Sequence, residues 1–177
     1  MKIIILQGSP NVDGSTAMLA AEFANGAREA GHDAEIVNVA SLDIEPCTGC
    51  VACGYGGPCA LSDDFDDLRE QILAADMLVF ATPLYYYGMT AQLKAVVDRF
   101  CSANPRISGK RLKSALLAVA WNDDDWTFEA LELHYDTLVR YLNLQDCGRV
   151  LGGGCGTPGM TARSGYPKRA RSLGASL

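Results

Sequence analysis

Seven cysteines occur in the chain, and four of them, Cys47, Cys50, Cys53 and Cys59, fall within thirteen residues. Thiolates hold soft metals and exchange electrons, so this stretch is the first place to look for chemistry. Cys47, Cys50 and Cys53 repeat at C-x2-C-x2-C spacing, and Cys59 follows after five intervening residues. Such spacing lets a short loop curl round one iron–sulfur cubane, because each thiolate reaches a different iron. Structural zinc more often takes two C-x2-C pairs from separate segments, which makes zinc the weaker fit. A C-x-x-C redox pair is the third option. The loop also carries Gly49, Gly54, Gly56 and Gly57, and offers little apolar surface in which four purely structural cysteines could be buried. Cys101, Cys147 and Cys155 are scattered.

Two other loops are unusual. Residues 8–16 read Gly-Ser-Pro-Asn-Val-Asp-Gly-Ser-Thr, between an apolar run and a helical pattern. A helix N-terminus offers free backbone N–H groups and a favourable dipole to an anion, and Ser9, Ser15 and Thr16 add hydroxyls. The interval from Gly8 to Gly14 is one residue too long for a Walker loop, and no Lys follows. A single phosphate is therefore better served than a triphosphate. Residues 82–88 read Thr-Pro-Leu-Tyr-Tyr-Tyr-Gly. Successive side chains of an extended segment alternate faces, so the three tyrosines cannot all enter one core. At least one is expected to offer an aromatic surface to a flat ligand.

These loops need elements to position them. Residues 2–7 form a continuous apolar run, as does Met77 to Thr82, and both suit strands buried on two faces. Residues 34–39, Ala115 to Ala120 and 145–151 complete five expected strands. Helical patterns cover about Ser15 to Ala30 with Gly31 as the stop, 63–74, the stripe Met89, Leu93, Val96, Val97 and Phe100, then Phe128 to Leu142, and 166–174. Strands alternating with helices predict a doubly wound parallel sheet covered on both faces. In a 2-1-3-4-5 sheet, ligands bind where the strand order reverses, between the first and third strands. The loops at 8–16 and 82–88 follow those two strands. Trp121 and Asn122 end the fourth strand, close enough to the crevice for ligand contact.

The rest of the chain reads as ordinary. Gly154-Cys-Gly156-Thr-Pro-Gly159 fits G-x-G-x-x-G by letter, but too little chain follows for a dinucleotide-binding unit, so a loop is expected there. Asp63, Asp64, Asp66 and Asp67 stand at an expected helix start, where acids complement the dipole, and Asp123 to Asp125 are read the same way. His32 and His134 have no evident nucleophile partner. No Cys is followed at six residues by Arg, which removes a cysteine-phosphatase loop. With 177 residues, a net charge of −6, 49% hydrophobic and 20% charged residues, the chain suits one globular domain, 1–177, with a cysteine-rich loop at 46–60. The negative charge argues against nucleic acid or anionic membrane as a partner held by general basicity. No apolar run reaches the ~18 residues of a membrane span, and the N-terminal run is too short for a signal peptide. The expected compartment is the reducing cytoplasm.

Gly8-Ser9-Pro10 through Gly14-Ser15-Thr16, the four-cysteine loop, and Ala75-Asp76 through Pro83-Leu84-Tyr85 to Gln92-Leu93-Lys94 together resemble the iron–sulfur flavoproteins. These are members of the wider NAD(P)H-dependent FMN reductase family. The resemblance implies a flavodoxin-like three-layer sandwich with a five-stranded parallel sheet of order 2-1-3-4-5. It implies FMN, with its phosphate on Ser9, Asn11, Ser15 and Thr16, and its ring and ribityl chain against Pro83, Leu84, Tyr85, Tyr86, Tyr87 and Gly88, near Trp121. It further implies a [4Fe–4S] cluster on Cys47, Cys50, Cys53 and Cys59, and a homodimer or dimer of dimers. Electrons would pass between a reduced donor such as NAD(P)H and an acceptor such as a ferredoxin, with no acid–base residue required. A cluster-free NAD(P)H-dependent FMN or quinone reductase is the alternative. A non-catalytic flavin- or phosphate-ligand-binding protein with a structural metal loop is the third reading.

Overall fold

In the computed structural model, which describes residues 1–177, five parallel strands form one sheet. They are β1 (Lys2–Gln7), β2 (Asp33–Asn38), β3 (Met77–Pro83), β4 (Lys113–Val119) and β5 (Gln145–Gly152). Their order is β2-β1-β3-β4-β5, as the resemblance implies. Pairing runs from Lys2 opposite Asp33, Ile3 opposite Met77 and Met77 opposite Lys113, so all strands point the same way and their C-terminal ends form one edge.

Helices cover both faces. Helix α1 (Ser15–Glu29) and the C-terminal α6 (Pro158–Arg163) and α7 (Tyr166–Ala175) lie on one side. Helices α2 (Phe65–Ala74), α3 (Ala91–Arg99), α4 (Asn104–Lys110) and α5 (Glu129–Tyr141) lie on the other. The alternation of side chains along a strand divides the core. Ile3, Ile5, Val79, Ala81 and Leu117 face Leu19, Phe23 and Ala27 of α1, while Ile4, Leu6, Leu78, Phe80 and Leu116 face Leu68, Val96, Ile107 and Leu131. Burial on both faces explains why β1 and β3 read as unbroken apolar runs. No helix is long and apolar enough to cross a membrane.

Helix α1 ends where Gly31 takes φ +83°, with Gly31 N–H donating to Arg28 O at 2.9 Å and His32 N–H to Ala27 O at 3.0 Å. This is a Schellman stop, and glycine supplies the left-handed residue it needs.

Three expectations change. The sequence reading leaves 101–114 unassigned, yet α4 forms there with Pro105 in its first turn, where a missing N–H costs nothing. The expected loop at 154–159 ends early, because Pro158 and Gly159 open α6 and Thr157 caps it through Met160 N–H. Asp123 to Asp125 do not begin a helix: Thr127 N–H turns back to Asp124 O and α5 starts at Glu129, with Glu129 and Glu132 as its own first-turn acids.

Helices α1 and α7 approach at a pair of glycines. A Cβ on Gly26 would collide with Arg171 O, and a Cβ on Gly174 with Phe23 O. Gly174→Ala is therefore expected to lose about 1–3 kcal/mol through overpacking. Chemical denaturation would show it as an earlier midpoint, and an unchanged midpoint would contradict this close packing.

Candidate functional site

The crevice opens at the C-terminal ends of β1, β3 and β4. The loop after β1 is tied down at its start. Gly8 N–H donates to Ala81 O at 2.8 Å, and Thr90 Oγ donates to Gly8 O at 2.7 Å. A Cβ on Gly8 would lie 2.7 Å from Leu93 Cβ, so this glycine serves the approach of α3. Further along, Ser9 Oγ accepts from Asn11 N–H at 3.2 Å, Asn11 Oδ1 accepts from Asp13 N–H at 3.2 Å, and Asn11 O accepts from Gly14 N–H at 3.2 Å. The Asn11 side chain thus shapes the loop as well as lining the crevice.

Helix α1 then begins without a cap. Gly14 stands at the N-cap, no side chain accepts from the first turn, and no acidic residue follows. Thr90 caps α3 and Thr157 caps α6, while α2, α4, α5 and α7 share the lack of a side-chain cap. The first-turn N–H groups of Ser15, Thr16 and Ala17 have no partner further back in the helix, and the buried Ser15 Oγ is unpaired as well. Unmet donors, a buried hydroxyl and the positive end of a helix dipole together make a cradle for an anion. The cradle opens into a cavity of about 240 Å³ that Ser9, Pro83, Leu84, Tyr85 and Trp121 also border. The residues present fit a phosphate-bearing ligand.

The loop after β3 is a strained hairpin. Thr82 Oγ accepts from Thr90 N–H at 3.1 Å, and Tyr85 and Gly88 exchange backbone hydrogen bonds at 3.1 Å each. Tyr86 and Tyr87 at its tip take φ of +47° and +64°. Left-handed backbone costs a non-glycine residue about 1–2 kcal/mol. Tyr85 faces the phosphate cradle's cavity, while Tyr86 and Tyr87 border an adjoining one of about 230 Å³ with Leu84 and Trp121. Tyr87 also rests on Trp126, ring centroids 5.0 Å apart, and Tyr86 is fully exposed. Gly88 closes the turn through its backbone and borders neither cavity.

Across the crevice, Trp121 lies over Gly156, where any Cβ would strike the indole, and Asp123 occupies the same space at Gly153. The glycines after β5 are therefore set by Trp121 and Asp123. Cys155, Gly156 and Pro158 complete the cavity wall, a contribution the sequence reading does not include. The glycine run following β5 was the signal available for it.

The cysteine loop forms a second site. Cys47, Cys50, Cys53 and Cys59 line one cavity of about 150 Å³. Left-handed residues fold the loop back on itself: Gly49, Val51, Gly54 and Tyr55 have φ of +69°, +59°, +54° and +63°. Gly57 N–H donates to Cys53 O at 2.7 Å. No three metal-ligating side chains converge on a single point. A cubane spreads its ligands over separate irons, so a cavity walled by thiols is the arrangement to compare with it. Cys50 is exposed, and the Ala52 backbone N–H, followed by Thr48, holds its thiol below the ordinary range.

Two residues missed in sequence belong to this site. Cys101, just beyond α3, is a fifth thiol on the cavity wall; burial, then Cys47 and Cys53, pushes its thiol up. Arg99, fully buried, ties the two ends of the loop together. Its Nη1 donates to Glu45 O at 2.8 Å and Asp63 Oδ2 at 2.7 Å, and its Nη2 to Leu61 O at 3.3 Å and Asp63 Oδ1 at 3.1 Å. Burial alone would raise the Asp63 carboxyl, but Arg99 and the Glu45 and Phe65 N–H groups hold it below the usual range. Asp63 and Asp64 were expected to serve the α2 dipole. Asp63 does so by accepting from Phe65 N–H at 3.1 Å, and both also bind the loop base, accepting from Glu45 N–H at 3.0 Å and Asp43 N–H at 2.8 Å.

A 2-1-3-4-5 sheet with an anion cradle after β1 and an aromatic loop after β3 defines a flavodoxin-like protein. The profile of the NADPH-dependent FMN reductase family matches residues 1–123, and the chain belongs to that family. It is 36% identical over 99 residues to an iron–sulfur flavoprotein of Methanocaldococcus jannaschii, covering 56% of this chain and 51% of that one. The chain spans about half the length of this and other iron–sulfur flavoproteins that it matches. It is 28% identical over 161 residues to YwqN of Bacillus subtilis, named as an NAD(P)H-dependent FMN-containing oxidoreductase, covering 87% and 86% of the two chains. The fold matches the NAD(P)H:quinone oxidoreductase from Methanothermobacter marburgensis with a TM-score of 0.81, over 100% of this chain and 96% of that one, at 22% identity.

Ser15→Ala tests the cradle. The unpaired hydroxyl has no bond to lose in the empty protein, so stability should hold or rise slightly. FMN affinity, read by flavin fluorescence titration, should fall roughly tenfold, the worth of one charge-assisted hydrogen bond. Unchanged affinity would remove Ser15 from the cradle.

Proposed function

We propose that the chain is an FMN-dependent oxidoreductase that passes electrons between a reduced donor and an acceptor through FMN and a [4Fe–4S] cluster on Cys47, Cys50, Cys53 and Cys59. The observation that supports this reading is the pairing of two sites through the two ends of one helix. The loop that carries the uncapped anion cradle is bonded at Gly8 to Thr90, the N-cap of α3, and Arg99 at the C-terminal end of α3 borders the cavity walled by thiols.

When bound, FMN accepts a hydride as two electrons and releases them singly, while a cubane carries one electron at a time. The chain's own task is to hold and enclose. The Ser15 to Ala17 N–H groups with the Ser9, Ser15 and Thr16 hydroxyls would take the phosphate, and Asn11 keeps their loop in shape. Pro83 to Tyr87 and Trp121 would border the ring and ribityl chain, offering apolar and aromatic surface that limits water.

NAD(P)H as donor, a ferredoxin-like acceptor and a second copy of the chain as partner belong to the same proposal. Exposed Tyr85, Tyr86, Trp121 and Trp126 around the crevice support an apolar contact there. The match to YwqN across most of both chains favours a second reading, a cluster-free NAD(P)H-dependent FMN or quinone reductase.

Cys50→Ser separates the two. On the cluster reading the variant loses iron and keeps FMN, as measured by iron analysis beside flavin absorbance. Full iron content in the variant would sink the ligand assignment.

A further inference from the structure

Arg99 is more than the loop clasp requires. Its side chain is completely buried, and its two terminal nitrogens are consumed by Asp63 and by the carbonyls of Glu45 and Leu61. Its carbon centre lies 4.8 Å above the Phe65 ring. One donor is left over: the buried Nε–H has no partner. A buried donor without an acceptor is costly, and more so on a charged group. Arg99 is also one of the residues lining the thiol cavity, and Cys59 is the cysteine within reach of its side chain. An acceptor in that cavity would satisfy it.

The charge has a consequence of its own. A cubane held by four thiolates is an anion, and it gains one further negative charge on reduction. A buried cation at the wall of that cavity acts strongly on such a change. The nearest compensating charge is Asp63, only 9% exposed, so the pair presents the cavity with a cation partly offset by a carboxylate.

We propose that Arg99 is the fixed counter-cation of the thiolate-bound iron–sulfur group, its free Nε–H kept for an acceptor in the cavity and its charge, tempered by Asp63, setting the reduction potential there. The inference rests on the cluster reading and adds to it a pair of residues that tune the potential. Arg99 acts here as a positioning and electrostatic residue, since it lies on the cavity wall without being a ligand.

Charge and clasp make different demands. Arg99→Gln removes the cation, so reduction becomes harder and the potential falls. Asp63→Asn keeps an acceptor for Arg99 but removes the offsetting charge, so the potential rises. If the pair served only as a clasp, both changes would loosen the loop and act in the same direction.

The experiment is an anaerobic redox titration of wild type, Arg99→Gln and Asp63→Asn, followed by the paramagnetic signal of the reduced cluster, with iron and sulfide assayed on each. The expected result is an approximately tenfold change in the reduced-to-oxidised ratio at fixed potential, about 59 mV for one electron, downward for Arg99→Gln and upward for Asp63→Asn. Potentials that stay put or move together, in proteins that retain iron, overturn the inference and leave the cluster reading standing. Wild type without iron overturns both. Should Arg99→Gln fail to hold its cluster, Asp63→Asn decides alone: a raised potential supports the inference, and an unchanged or lowered one ends it.

Discussion

Helix α3 is held at both ends by bonds that reach far along the sequence, and each end belongs to a site. At its start, Thr90 caps the helix and bonds Gly8 across 82 positions. At its end, Arg99 gathers Glu45, Leu61 and Asp63. Nine residues of α-helix span about 14 Å, so the two sites sit on one short rigid rod. Leu93 and Val96 fix that rod against the sheet through the core. Loosening either end would alter both the crevice and the thiol cavity.

The sheet and its main helices were legible because their signals are periodic. Buried strands such as β1 and β3 have no polar face, and α1 and α3 repeat apolar residues at helical spacing. Boundaries moved by a residue or two at β2 and β4. Helix α4 was hidden because seven residues with a proline give no full period. The four cysteines, the Gly8 to Thr16 loop and the tyrosines announced themselves by composition.

What was not legible came from distance in sequence. Cys101 stands 42 positions after Cys59, and nothing local marks it as belonging with the loop. Arg99 ends an amphipathic helix, where a basic residue already has a sufficient reason to be. Asp63 carried the opposite disguise, an acid at a helix start. In each case a residue with an ordinary local explanation had a different tertiary partner. The glycines after β5 show the same effect, since the need for them lies in Trp121 and Asp123 on another strand's loop.

Several local rules are broken at the two sites, as they are at some other positions in the chain. An uncapped helix, two left-handed tyrosines, an unpaired serine hydroxyl and an unpaired guanidinium N–H are all features that cost stability in an empty protein. The rest of the sheet is conventionally packed and supports them. The direct test of the account is the ratio of iron and acid-labile sulfide to flavin in anaerobically purified protein. About four irons and four sulfides to each FMN would agree with a flavin in the crevice and a cubane in the thiol cavity. Flavin with no iron, or flavin with zinc, would contradict it.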